Sequence, residues 1–223
     1  MRRKGTAMIK FIWAGIACLA LAGAAMAKET NMIKLPPPDM QGGKPLMQAL
    51  KERHSTREFG ARPLPQQILS NLLWAAAGVN RPQTGQRTAP SARDWREIDI
   101  YVTTADGAYA YVPDEHALRP VLKTDIRART GMQDFVATAP LNLVYVANLE
   151  RMSGADAESQ ALYSAADTGF IAQNVYLYCA SAGLGAVVRG LIDRDALAAA
   201  LGLGAHQKII LAHSVGYPKS EGE

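Results

Sequence analysis

The chain has 223 residues, a length that suits one globular domain with a sizeable core. It has 24 lysines and arginines against 20 aspartates and glutamates, but four of the basic residues and none of the acidic ones precede residue 28. The rest of the chain is close to neutral, which argues against a nucleic-acid partner. Cys18 lies in that first segment, so Cys179 is the one cysteine left and an internal disulfide is not expected.

The first 27 residues have the pattern of a secretion signal. Basic residues are followed by an unbroken apolar run, Phe11 to Met26, and Ala25-Met26-Ala27 is the small-x-small pattern that signal peptidase reads. We therefore expect residues 1–27 to be removed and the protein to be periplasmic. A membrane anchor is the alternative, because the run is only slightly shorter than the roughly 20 residues that span a bilayer. Arg2-Arg3 leaves the general and twin-arginine export routes both open.

The remaining chain is expected to be an extended arm, residues 28–44, and one domain, residues 45–219. The arm is rich in proline, glycine and charge, so it should have no core of its own. In the domain, helical spacing of apolar residues predicts helices at Leu46–Arg53, Pro65–Ala76 and Glu158–Ala182, and from Asp193 to Leu201.

Alternating or continuous apolar runs predict six strands, at Ile98–Thr103, Tyr109–Val112, Ala117–Leu122, Leu141–Ala147, Ala186–Arg189 and Lys208–Val215. Residues 80–96 are polar and predict a long functional loop. Because helices and strands do not alternate as regular βαβ units, the fold class is predicted as α+β.

A dense set of hydrogen-bond donors follows the first helix, in Arg53-His54-Ser55-Thr56-Arg57. Two guanidiniums, an imidazole and two hydroxyls suit phosphate and polyol oxygens. The alternative is a charged helix end, where Arg and His interact favourably with the helix dipole.

Four motifs occur in the order in which the nitroreductase family has them. They are Arg53-x-Ser55-x-Arg57-x-Phe59, Pro90-Ser91-Ala92, Gly183-Leu184-Gly185 and Gly216-Tyr217-Pro218. The chain therefore resembles this family from about residue 45 to residue 219. Arg87-Thr88 before the second motif looks most like the azoline-oxidase branch, but Arg93 to Glu97 departs from that branch's Gly-Ala-Leu-Tyr-Pro and leaves the substrate open.

The resemblance implies a central, mainly antiparallel sheet flanked by helices, and a noncovalent FMN at a homodimer interface. It implies that Arg53, His54, Ser55, Arg57 and Lys219 hold the phosphate and ribityl chain, that Pro90, Ser91 and Ala92 lie along the isoalloxazine, and that the backbone of Val188, Arg189 and Gly190 approaches flavin N5. Many members have an acidic residue where this chain has Arg189. A cation facing the ring there would raise the reduction potential.

The expected function is that of an FMN-dependent oxidoreductase, which moves two electrons from a reduced donor, NAD(P)H or another, to a small electron-poor acceptor. A non-catalytic flavin- or ligand-binding member of the same fold is the alternative, and ring fragmentation or dehalogenation also stays open. No catalytic residue is identified. The histidines lack ligand-like spacing, so no metal is expected. Tyr176 is interpreted as a core or interface residue. Asp167-Thr168-Gly169 is interpreted as helix packing, and a small residue and a carboxylate near the pocket are the alternative.

Overall fold

The computed structural model describes residues 32–219. The expected secretion signal lies outside these residues. Within them, no helix is both long and apolar enough to cross a membrane.

Four helices are present, and their ends follow from the local sequence. They are α1 (Leu46–Glu52), α2 (Gln66–Ala77), α3 (Ala157–Ala182) and α4 (Arg194–Leu201). Asp156 and Asp193 precede α3 and α4, and their side chains accept backbone N–H groups of the first turn. Gly183 ends α3 in a left-handed conformation, with φ 69°, which glycine adopts without strain.

Seven strands form one sheet in which every neighbouring pair is antiparallel. They are β1 (Ile33–Lys34), β4 (Ile98–Thr104), β5 (Gly107–Val112), β6 (Ala117–Leu122), β7 (Leu141–Asn148), β8 (Gly185–Arg189) and β9 (Gln207–Gly216), in the order β1-β6-β5-β4-β7-β9-β8. A separate hairpin joins β2 (Val79–Arg81) to β3 (Gln86–Arg87). The predicted α+β fold with a mainly antiparallel sheet is confirmed.

The sheet has a hydrophobic core on each face. Ile100 and Val102 of β4 pack with α2 and α3, whereas Tyr101 between them packs with α4. This alternation is expected for a strand, because successive side chains point to opposite faces. The predicted central strand, β7, is buried from Leu141 to Ala147 because it is covered on both faces.

The described part of the arm, residues 32–44, joins the main sheet. β1 pairs with β6, and Leu35 is buried in the main core. The arm also meets α2, because the Ser70 hydroxyl donates to the Pro36 carbonyl at 2.5 Å. The arm therefore covers one sheet edge and closes one end of the core.

Candidate functional site

The segment that was predicted to bind phosphate lies along the free edge of β8. The Thr56 N–H donates to the Ala186 carbonyl at 2.9 Å. A Cβ at Gly185 would lie only 2.8 Å from the Thr56 side chain. The glycine of the Gly-Leu-Gly motif is therefore needed for the close approach of this segment to the sheet.

The last described residues lie beside the same segment. Phe59 forms a β-bridge with Pro218, and the Lys219 N–H donates to the Glu58 carbonyl at 3.1 Å. The backbone of Lys219 is thus next to the segment that carries Arg57. Residues from the two ends of the domain meet here, as the resemblance implied.

We call the side chains of Arg53, His54, Arg57 and Lys219 the basic cradle. His54 and Arg57 are exposed, as is Lys219, while Arg53 is half-buried. Within residues 32–219, none of the four forms a salt bridge with a carboxylate. Basic side chains on neighbouring segments without an anionic partner suit a phosphate group.

Tyr176 of α3 connects the cradle to β8, a role that the sequence did not indicate. Its hydroxyl oxygen accepts the Val188 N–H at 2.8 Å and lies 3.0 Å from Ser55 Oγ. The Arg53 guanidinium carbon lies 5.2 Å from the centre of its ring. Tyr176 has no motif around it, and its partners are distant in sequence, so only the folded structure reveals it.

Val188, Arg189 and Gly190 lie next to this cradle, but not as the sequence implied in every respect. The Val188 N–H is already bonded to Tyr176, so it is not free for a ligand. Gly190 is exposed, and a Cβ there would make only an ordinary 3.6 Å contact with Leu211. The chain's own packing thus does not require a glycine at position 190, which leaves its backbone open to an approaching ligand.

The Arg189 side chain does not meet the condition for a raised reduction potential, which was that it face the ring. Val188 faces α3, so the next residue of the strand points to the opposite face of the sheet. There Arg189 is 4% exposed and donates to Thr130 O at 2.8 Å, Asn142 Oδ1 at 3.1 Å and Ser214 Oγ at 3.1 Å. Burial lowers the pKa of its guanidinium to about 10. Its guanidinium therefore binds interior acceptors. We no longer expect it to raise the reduction potential of the flavin.

The Pro90–Ala92 segment is held at another part of the molecule. Ser91 Oγ donates to Glu97 Oε2 at 3.2 Å and accepts the Arg96 N–H at 2.8 Å. The Ala92 N–H donates to Asp167 Oδ2, on α3, at 2.9 Å. Two acidic residues that the sequence did not single out for chemistry therefore fix this segment.

A cavity of about 220 Å³ lies under this segment, and we call it the loop cavity. It is lined by Ser91, Glu97 and Asp167, together with residues of α2, the β2–β3 hairpin and α3. Glu97 is completely buried and Asp167 is 2% exposed. Burial raises the pKa of the Glu97 carboxyl, and the nearby Asp167 raises it further.

The structure does not bring the two groups of predicted residues together in one chain. The basic cradle contacts α3 at Tyr176, and the Pro90–Ala92 segment contacts it at Asp167. These contacts are nine residues apart on α3, which is about 13.5 Å along the helix axis and two and a half turns. The two groups therefore contact α3 on opposite sides.

Two helices expose apolar side chains without a covering element among the described residues. On α3, Leu162 is 61% and Phe170 48% exposed, and on α1, Met47 is 75% exposed. Between the two exposed side chains of α3 lies Gly169, where a Cβ would contact nothing within 4 Å. A glycine inside a helix weakens it by about 0.5–1 kcal/mol, and this one has no packing role in the chain itself. These features are typical of an interface.

Two other observations concern where a ligand or a metal could bind. A second cavity, about 570 Å³, is mainly apolar and lies between the arm and α2, and none of the predicted site residues lines it. Within residues 32–219, no cluster of three or more His, Cys, Asp or Glu side chains is arranged to hold a metal.

The described residues form an α+β domain in which a basic segment runs along the β8 edge of an antiparallel sheet. The Nitroreductase family profile matches residues 50–217, and the chain belongs to the nitroreductase family. A Methanocaldococcus jannaschii protein named as a nitroreductase is 35% identical over 172 residues, which cover 73% of this chain and 85% of that relative.

Solved structures agree with this assignment. A nitroreductase structure from Ralstonia eutropha JMP134 is 49% identical, covers 85% of this chain and 90% of its own, and superposes with a TM-score of 0.82. A Desulfovibrio desulfuricans nitroreductase in complex with FMN is 22% identical, with coverages of 81% and 90% and a TM-score of 0.58. A chain of the Escherichia coli microcin synthetase McbBCD complex is 17% identical, with coverages of 93% and 85% and a TM-score of 0.68. The last two share the fold.

Proposed function

We propose that this protein is an FMN-dependent oxidoreductase that passes two electrons from a reduced donor to a small electron-poor acceptor. The observation that carries the proposal is the basic cradle: three cationic side chains and an imidazole that have no carboxylate partner within residues 32–219, on a segment whose Thr56 backbone is bonded to β8. The FMN complex of the Desulfovibrio desulfuricans neighbour supports the choice of cofactor.

The described residues fit FMN. Arg53, Arg57 and Lys219 would hold the phosphate, because guanidinium and ammonium groups donate charge-assisted hydrogen bonds to it. Ser55 and His54 would contact the ribityl hydroxyls. Bound FMN supplies the two-electron hydride chemistry, and the chain's task is to place and surround it.

A second copy of this chain would complete the site. The cradle and the Pro90–Ala92 segment contact α3 about 13.5 Å apart, so one chain leaves one side of a bound flavin open. Exposed Leu162 and Phe170 supply an apolar surface for a homodimer. In such a dimer, the segment that covers the isoalloxazine comes from the partner of the chain whose cradle holds the phosphate.

The donor, the acceptor and the location belong to the proposal as well. A reduced nicotinamide can reduce a flavin that is open on one face, without a dedicated binding motif. The secretion-signal pattern in residues 1–27 supports a periplasmic enzyme, where another reduced donor can take this role. The similarity to the azoline-oxidase branch stays a prediction, and the substrate is open.

The experiment that tests the proposal reconstitutes residues 28–223 with FMN and then removes excess flavin. The visible absorption bands of oxidised flavin should stay with the protein, and reduced donor should be consumed continuously when an electron-poor aromatic acceptor is added. Arg53→Ala with Arg57→Ala should abolish flavin retention. Arg119→Ala with Arg129→Ala removes the same charge from exposed positions elsewhere and should not.

Flavin retention with a single reduction and no continuous turnover would favour the non-catalytic, ligand-binding alternative. A folded protein that retains no flavin would contradict the proposal.

A further inference from the structure

Two buried carboxylic acids fix the segment that is proposed to face the flavin. The Glu97 carboxyl accepts a hydrogen bond from the Ser91 hydroxyl, and the Asp167 carboxyl accepts one from the Ala92 N–H. Glu97 is fully buried and Asp167 is 98% buried, although most acidic side chains are solvent-exposed. The Pro90–Ala92 segment therefore rests on two acids that face the loop cavity.

The two carboxyls lie close to each other, because they accept hydrogen bonds from adjacent residues, Ser91 and Ala92, and line the same cavity. A hydrogen bond between them requires a proton on one, since two carboxylates have no hydrogen atom to share. Within the described residues, Glu97 Oε1 is buried and has no hydrogen-bond donor from another group. A shared proton satisfies this atom and removes the cost of two adjacent buried negative charges.

The charged side chains around the cavity do not neutralise the two carboxyls in place of this proton. The charged groups that line the same cavity are Arg81 and Arg87 from the β2–β3 hairpin, and Asp94 and Arg96 from the loop. Arg96 binds Asp94 at 2.7 Å, and Arg81 donates to the Arg87 carbonyl at 3.0 Å. Across residues 32–219, no arginine side chain donates to Glu97 or Asp167. The helices add only apolar side chains, Ala77 and Ile171, to the lining besides Asp167.

The loop from Arg93 to Arg96, between the Pro90–Ala92 segment and Glu97, has a strained backbone. Hydrogen bonds at its ends are therefore needed to hold it. Arg93, Asp94 and Arg96 have φ values of 50°, 55° and 50°. The left-handed region costs a non-glycine residue roughly 1 kcal/mol. The bonds from Ser91 to Glu97 and from Ala92 to Asp167 lie at both ends of this stretch and hold it in place.

We propose that Glu97 and Asp167 share one proton, and that this proton holds the Ser91–Ala92 segment in the geometry that faces the flavin. Both acids are then positioning residues. Loss of the proton leaves two adjacent carboxylates, which repel each other and release the segment. Because protonation favours the fixed segment, the effect is complete at low pH and is lost as pH rises through the titration of the pair. The flavin part of this inference rests on the proposed function.

Infrared spectroscopy of the mature protein tests the shared proton without any cofactor. At neutral pH we expect a carbonyl-stretch band of a protonated carboxyl that shifts in D2O. It should be lost in Glu97→Gln and in Asp167→Asn, since each amide can donate to the remaining carboxylate. Asp94→Asn, which changes the third acid of the cavity, should keep the band. Absence of the band from the folded wild type, or its persistence in both variants, would overturn the proposal.

Titration with FMN at increasing pH tests the positioning role. The dissociation constant of the wild type should rise above the titration of the pair by up to about tenfold per pH unit, the limit for one linked proton. Glu97→Gln should bind with no such rise. The same pH dependence in both proteins would overturn the role. A protein that has the infrared band but binds no FMN would contradict the proposed function and leave the shared proton standing.

Discussion

The Val188 N–H donates a hydrogen bond to the Tyr176 hydroxyl at 2.8 Å, so a side chain of α3 fixes the backbone of the edge strand β8. The same oxygen lies 3.0 Å from Ser55 Oγ. One phenol thus connects the long helix, the edge strand and the segment after α1. Because these three parts form the basic cradle and its surroundings, Tyr176 sets where a bound flavin would lie relative to β8.

Tyr176→Phe should weaken both the fold and flavin binding. The change removes the acceptor of the Val188 N–H, so we expect a loss of about 1–2 kcal/mol in the free energy of unfolding, and a higher FMN dissociation constant. Tyr178→Phe is the matched control, since that hydroxyl makes a long 3.4 Å contact with the Ile68 carbonyl. Denaturant unfolding and fluorescence titration measure the two effects. Equal losses in both variants would show that Tyr176 has no special role.

Arg189→Met should destabilise the protein and leave the reduction potential of the bound flavin unchanged. The variant leaves the Thr130 carbonyl without its donor and removes one of the two donors to Asn142 Oδ1, the other being the Ser214 hydroxyl, at a cost of about 3 kcal/mol. The exposed Arg129→Met should cost little. Chemical unfolding measures the free energy of unfolding, and redox titration measures the reduction potential of the bound flavin. A shifted potential with normal stability would place the guanidinium at the flavin after all.

The glycines at the two ends of β8, Gly185 and Gly190, should differ in how their replacement by alanine changes stability and FMN affinity. Gly185→Ala places a Cβ 2.8 Å from Thr56, so it should displace the cradle segment and destabilise the protein by about 1–3 kcal/mol. Gly190→Ala meets only Leu211 at 3.6 Å, so the apoprotein should keep its stability within about 0.5 kcal/mol while FMN affinity falls. Thermal unfolding and FMN titration of both variants separate packing from ligand approach. Undiminished FMN affinity in Gly190→Ala would mean that the flavin does not approach this backbone.

Replacing Leu162 and Phe170 by glutamate should convert a dimer into a monomer. Both side chains are exposed on α3, so the change should leave the folded chain intact while it places charge in the proposed interface. Analytical ultracentrifugation reports the mass and circular dichroism the fold. Met132→Glu, at an exposed position away from α3, should stay dimeric. A wild type that is monomeric at all concentrations with FMN bound would remove the interface from the account.

His213 should make the protein less stable in acid. Burial, and secondarily the charge of Arg189, lowers the pKa of His213 to about 3, from an ordinary value of 6.5. The unfolded chain takes up a proton below about pH 6.5 and the folded chain does not, so His213 favours unfolding as pH falls from 6.5 towards 3. His213→Phe should lose less stability between pH 7 and pH 4 than the wild type. An equal loss in His213→Phe and in the wild type would contradict this role of His213.

The long elements of the fold could be predicted because each has its own periodic pattern. The apolar spacing of α3 and the continuous apolar run of β7 place both within one or two residues of their observed ends. β1, β2 and β3 could not be predicted, because strands of two or three residues show no period. β1 exists only through its pairing with β6.

The site divides in the same way. Arg53 to Arg57 are neighbours in sequence, so their dense set of donors is visible without the fold. Glu97 and Asp167 are 70 positions apart, and nothing local indicates that they meet under Ser91. The Arg189 side chain is buried because the register of β8 places it on the face of the sheet opposite α3. A one-residue shift in register would place it on the α3 face, and the local sequence does not fix the register. Contacts of this kind are decided by tertiary packing.

The most direct test of the central claim compares FMN with riboflavin, which lacks the phosphate, by fluorescence titration of residues 28–223. The basic cradle predicts that the wild type binds FMN at least about a hundredfold more tightly, since two or three charge-assisted hydrogen bonds each contribute about 1.5 kcal/mol. In the Arg53→Ala, Arg57→Ala variant this preference should collapse, while the affinity for riboflavin changes little. Equal affinity of the wild type for the two flavins, or a preference that survives in the variant, would contradict the account.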